Sequence, residues 1–137
     1  MSERTIVFHT PPDEVDVVHV ALASLWAQDA DVDAMDRMMF ETALIELVSN
    51  VIEHGDSQTT INCTLDLAVD ESTMKAVLVD TASPPRIDLS PREMPDEFAE
   101  SGRGLAFIQA LVDDFDYRRA GGSNIWTLNK RRALLSL

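Results

Sequence analysis

The segment from about Asp33 to His54 constrains the fold most. It reads as one long helix, with Gly55 as its C-terminal stop. In its second half, from Phe40, the residues Ala43, Leu44, Ile45, Leu47, Val48, Val51 and Ile52 fill an arc of about 200° at 100° per residue. An apolar face that broad has to be covered by another layer of secondary structure. Along one border of the arc, Glu46, Asn50 and His54 form an i, i+4, i+8 row, so their side chains point the same way.

The rest of the chain supplies the covering layer. Thr5 to His9 reads as a strand with Ile6 and Phe8 on one face. Thr10-Pro11-Pro12-Asp13-Glu14 carries helix-start signals, with Thr10 as the cap, and a helix follows through Val15, Val18, Leu22 and Leu25 to Trp26. Thr59–Val69 and Thr73–Val79 read as strands joined by a turn at Asp70-Glu71-Ser72. Leu65, Leu67 and Val69 alternate with polar residues, which predicts one wet face. A loop over 86–101 precedes Ser101-Gly102-Arg103-Gly104, which opens a helix from about Leu105 to Val112. Tyr117–Arg119 and Ile125–Lys130 read as a hairpin about Gly121-Gly122. The order β-α-α-β-β-loop-α-β-β predicts a single α+β domain over 1–137. Its expected architecture is a two-layer sandwich, with a mixed, mostly antiparallel sheet and helices on one face.

Charge and composition exclude several functions. The net charge is −13, from 24 acids and 11 bases, which argues against nucleic acid as a partner. The charge is uneven: residues 1–117 sum to −18, and 118–137 hold five bases and no acid. No apolar run approaches the ~20 residues of a membrane span. The sequence shows no secretory signal pattern and one cysteine, Cys63, so a cytoplasmic protein is expected. Single Cys and scattered His argue against a zinc site made by this chain alone. His9, His19, Trp26 and Trp126 are read as structural.

Three places carry residue types suited to chemistry. A carboxylate at Glu46 can act as general base, and an amide oxygen one turn along, at Asn50, suits Mg²⁺. On spacing alone the same row reads more readily as the solvated face of an amphipathic helix. Asp80, ending a strand before Ser83-Pro84-Pro85, can accept from a ligand amine or simply make a turn. Gly102 and Gly104 at a helix start can let a phosphate approach free N–H groups, or can belong to a loop. They are not the dinucleotide fingerprint, because Phe107 stands where the third glycine belongs, and there is no P-loop.

Order and spacing add what single residues do not. Glu46-x-x-x-Asn50-x-x-x-His54-Gly55, Asp80-x-x-x-Pro84, Gly102-Arg103-Gly104-Leu105 and Gly122-x-Asn124-x-x-x-Leu128 resemble the GHKL, or Bergerat-fold, ATP-binding module. Within it the chain most resembles the anti-sigma regulatory factors, the serine kinases of bacterial partner-switching systems. The resemblance implies ATP and Mg²⁺ as cofactors, Asn50 as the Mg²⁺ ligand and Glu46 as the catalytic acid that activates the attacking hydroxyl. It implies nucleotide contacts from Asn50, His54, Asp80, Ala82, Gly102, Arg103, Gly104 and Leu105, with Asp80 accepting from the adenine amino group. It makes 86–101 a mobile ATP lid. The implied partners are a small antagonist protein phosphorylated on serine, a sigma factor or similar regulator, and a second copy of the chain in a homodimer. A nucleotide-binding switch without kinase activity is the alternative. One departure stands out: the family's glycine two residues after the aspartate is Ala82 here, which costs on the order of 1 kcal/mol if the position needs positive φ.

Overall fold

Alternation along five strands builds the sheet on which everything else rests. A computed structural model describes residues 2–29, 31–54, 60–85 and 100–133. In chain order the elements are β1 (Ser2–Thr10), α1 (Asp16–Gln28), α2 (Ala34–His54), β2 (Ile61–Val69), β3 (Thr73–Asp80), α3 (Glu100–Leu111), β4 (Asp114–Ala120) and β5 (Ser123–Arg131). The strands form one sheet in the order β1-β2-β3-β5-β4. All four ladders are antiparallel, where a partly parallel sheet was expected. The paired helices α1 and α2 return the chain beside β1 in the opposite direction, and tight turns or α3 make the other connections.

Burial follows the strand period. Along β2 and β5 every second residue is buried, from Cys63, Leu65 and Leu67 to Trp126 and Leu128. The opposite parity faces away from the helices and is half-buried, as at Thr64, Val79 and Ile125, or exposed, as at Asn62, Asp66 and Lys75. The buried faces of α1 and α2 meet this sheet: Leu22 and Leu25 from α1, and Leu44, Leu47 and Val48 from α2, are all 1% exposed or less. α2 lies against β3 and β5, α1 against β1, and α3 against both α2 and β4. Arg4 of β1 also donates to the Ser24 hydroxyl of α1. The result is the two-layer α+β sandwich expected from the pattern. No helix among the described residues is long and apolar enough to cross a membrane.

Two helix starts differ from expectation. α1 begins at Asp16, with Val15 at the cap position and no side-chain cap. Thr10 is instead the last residue of β1. Asp13 accounts for the delay: its N–H donates to the His9 carbonyl at 2.8 Å, and its carboxylate accepts from the His9 N–H at 2.9 Å. That pair makes a separate turn, so Asp13 serves the turn rather than the helix. α3 begins at Glu100, about five residues earlier than read, which puts both Gly102 and Gly104 inside the helix. The start of α2 is close to that read, because Asp33 Oδ2 accepts from the N–H groups of Met35 (3.1 Å) and Asp36 (3.2 Å). The stop at Gly55 and residues 86–99 of the lid expected over 86–101 lie outside the described residues, and residues 100 and 101 belong to α3.

Candidate functional site

The polar border of α2 and the N-terminal turns of α3 come together at one glycine. Glu46 and Asn50 are half-buried on α2, at the edge of its apolar arc. A methyl group placed on Gly104 would stand 2.8 Å from Asn50 Nδ2 and 3.0 Å from Glu46 Oε1. Only a residue without Cβ lets the α3 backbone come this close to both side chains. The N-terminal turns of α3, which carry the positive end of its dipole, thus lie beside a carboxylate and an amide.

Three of the residues singled out from sequence are thus neighbours: Glu46, Asn50 and Gly104. The backbones of Gly102 and Arg103 belong to the same helix start. Leu105 follows them and is 8% exposed, on the core side of α3. His54 ends α2 one turn beyond Asn50, and its side chain, like that of Arg103, lies outside the described residues.

Asp80 ends β3 on the helix-covered side of the sheet and has no solvent exposure. Its carboxylate is held by the chain itself. Oδ1 accepts from the Ala82 N–H at 2.9 Å and from Asn124 Nδ2 at 2.8 Å, and Oδ2 accepts from Trp126 Nε1 at 2.7 Å. A second layer fixes these donors. Asn124 Oδ1 accepts from the Tyr117 hydroxyl (2.6 Å) and from Arg119 Nη1 (3.0 Å), and its Nδ2 also reaches the Ala82 carbonyl at 3.1 Å. Arg119 Nη1 donates to the same Ala82 carbonyl at 2.8 Å. The indole of Trp126 sits between Phe115, stacked at 6.1 Å, and Tyr117 at 4.6 Å. Ala82 is not strained, because no non-glycine residue among those described has positive φ.

Asn124, Tyr117, Arg119 and Trp126 had no polar role in the sequence reading. One signal was available: Asn124 and Trp126 share the strand parity of Leu128, so a polar amide was due on the core side, where it must find partners. Cys63 lies opposite Asp80 on β2 and faces the same interior. Burial, and then the neighbouring Asp80 charge, push its thiol up to about 12. The basic stretch after residue 117 is largely spent within the chain. Arg131 bonds Asp113, Arg132 Nη1 donates to the Asp70 carbonyl at 2.6 Å, and Lys130 stands 3.9 Å from the Asp36 carboxylate.

Comparison with known proteins bears on the family and the fold. The family model described as a histidine kinase-like ATPase domain matches residues 8–130. No curated protein sequence matches the chain. Among solved structures, the RsbU and RsbW domains of Rv1364c from Mycobacterium tuberculosis superpose with a TM-score of 0.65 at 21% identity, over 96% of this chain and 33% of that one. The chain thus spans about a third of the mycobacterial one. The catalytic domain of histidine kinase ThkA superposes with a TM-score of 0.55 at 12% identity, over 94% of this chain and 97% of that one. The histidine kinase domain from Erythrobacter litoralis EL346 gives 0.50 at 16% identity, over 70% of this chain and 44% of that one. These likenesses concern the fold, and the family model adds the sequence pattern across most of its length: the chain belongs to the histidine kinase-like ATPase domain family.

Proposed function

We propose that this chain is an ATP-dependent protein-serine kinase of the anti-sigma type. The observation that carries the reading is the seating of Gly104 on Glu46 and Asn50, which brings the N-terminal turns of α3 beside a base and an oxygen ligand. The first turn of α3, with Gly102 and Arg103, is the proposed phosphate end; Gly104 lets it approach Glu46 and Asn50, Leu105 is buried behind it, and His54 is proposed as a further nucleotide contact. Asp80 and Ala82 wall the base end. Asn50 is the residue to hold Mg²⁺, which when bound neutralises phosphate charge. An acidic chain binding an anion needs that compensation.

Glu46 takes the proton from a serine hydroxyl of a small antagonist protein. The serine oxygen forms the new bond to the γ-phosphorus, and the bond from that phosphorus to the β–γ bridging oxygen breaks, leaving ADP. Without its phosphate the antagonist competes with a sigma factor or similar regulator for this chain, and a homodimer is the expected assembly by family analogy. A second reading is a nucleotide-responsive binding module without transfer activity, favoured by the occupied Asp80 carboxylate and by Ala82 in the glycine position.

Titration with ATP by calorimetry, with and without Mg²⁺, tests the site. Binding that needs the metal and is lost in Asn50→Ala supports it. Transfer of labelled phosphate to an antagonist serine then separates the two readings. Glu46→Gln should lower transfer by about 10²-fold or more while leaving ATP affinity within about threefold. Unchanged transfer in Glu46→Gln would remove the base from the mechanism.

A further inference from the structure

Strand parity and register bring a cation to the base end. Phe115 and Tyr117 of β4 pack against the core, and Arg119, two residues on, shares their parity. It is the last such residue before the Gly121-Gly122 turn, and it stays exposed. Register sets Arg119 opposite Asn124 and Asn124 opposite Asp80, so one row of the sheet carries the arginine, the amide and the carboxylate. The guanidinium closes onto the segment that follows β3. Nη1 donates to the Ala82 carbonyl at 2.8 Å and to Asn124 Oδ1 at 3.0 Å, and Nη2 donates to the Gly122 carbonyl at 3.2 Å. The far flank of the same segment is held by β2, where the Thr81 N–H donates to the Asn62 carbonyl at 3.2 Å and the Thr81 hydroxyl accepts from the Asn62 N–H at 2.9 Å. On the near flank Arg119 supplies the ionised donor, and such bonds are roughly twice as strong as neutral ones.

An ionised carboxylate offers about four acceptor positions. On Asp80, Ala82 N–H and Asn124 Nδ2 take those of Oδ1, and Trp126 Nε1 takes one of Oδ2, which leaves an acceptor on Oδ2 for a ligand. Both donors to Oδ1 belong to residues that Arg119 holds in turn. We infer that Arg119 is a positioning residue for base recognition: by tethering Ala82 and Asn124 it fixes the carboxylate whose remaining acceptor takes the 6-amino group of a purine base. It acts through these two residues and not by contact with the nucleotide. This inference rests on the nucleotide-site reading above.

The test compares Mg²⁺-dependent affinities for ATP, a purine nucleoside triphosphate lacking the 6-amino group, and inorganic tripolyphosphate, in the unaltered chain and in Arg119→Met. The unaltered chain should favour ATP over the 6-unsubstituted nucleotide by about tenfold. In Arg119→Met that preference should fall to within about threefold, because a loosened carboxylate holds the amine poorly. Tripolyphosphate affinity should stay within about twofold, which also reports a folded site. An Arg119 that serves only structure or overall charge would lower all three affinities by the same factor, and that result overturns the inference. So does a preference for ATP that the substitution leaves unchanged. No preference in the unaltered chain removes base reading by Asp80 and this inference with it, and leaves the phosphate end standing. No binding of ATP or tripolyphosphate to the unaltered chain overturns the site reading and the inference together.

Discussion

Gly104 is the residue on which the phosphate end turns. Alanine there gains about 0.8–1 kcal/mol of helix propensity. Against that, its methyl would stand 2.8 Å from the end of the Asn50 side chain and 3.0 Å from that of Glu46. Both are flexible side-chain ends, so they move aside rather than the helix. Gly104→Ala should therefore change stability by less than about 1 kcal/mol while lowering ATP affinity about tenfold or more. Thermal melting and calorimetry on the same sample check the two halves of that statement. Cys63 gives a second prediction at this scale. Its thiol is pushed up to about 12 from an ordinary 9.0, by burial first and Asp80 second. Between those values the unfolded chain releases the proton and the folded chain keeps it, so Cys63 makes stability fall as pH rises through that window. Denaturant titrations from pH 8 to 11 should show the decline, and Cys63→Ala should flatten it. A thiol reagent should leave the native protein unlabelled at pH 8.

The elements were legible where local chemistry acted alone and illegible where distant partners intervened. Asp33, where the sequence places the start of the helix, caps α2 in the structure, and Asp33→Ala should cost about 1 kcal/mol in chemical denaturation. The Gly121-Gly122 turn, with φ of 58° and 78°, has the backbone that a two-residue hairpin demands, and joins β4 to β5 where the glycines indicated. The start of α1 misled because Thr10 pairs with Ile61 in the sheet, a contact 51 residues away that no local signal encodes. α3 misled in the opposite direction. Its glycines read as a helix opening or a loop, but the helix already runs through them, and Gly104 lies against Glu46 and Asn50 of α2. The border row on α2 was legible because helical spacing is a local rule, whereas the donors around Asp80 come from β5 and from the turn after β3. Two turn carboxylates make acid behaviour predictable. Asp70 is held below 3.8 by the N–H groups of Ser72 and Thr73, and Asp113 by that of Arg131. Such groups stabilise fully above the unfolded value and lose that contribution as pH falls through the lowered one. Asp113→Asn should accordingly shallow the loss of stability below pH 4, read from urea midpoints.

At the scale of the whole molecule, the basic residues late in the chain act as a strap. Lys130 faces Asp36, whose carboxylate also accepts from the Ala133 N–H at 2.6 Å, and Arg132 spans to Asp70 and Asp31. Part of the positive charge there answers acids at the start of α2 and in the turns. Lys130→Met leaves the poorly exposed Asp36 carboxylate without its cation and should destabilise by about 3 kcal/mol, measured by denaturant unfolding. The strand order has one more consequence. β4 is an outer strand of the sheet, and its residues Asp114, Asp116 and Arg118 are exposed, with charge at every second position. A strand arriving from a neighbouring molecule would have to lay its backbone along that charged margin and desolvate it. The fold thus carries its own guard against growing, strand by strand, into a fibre.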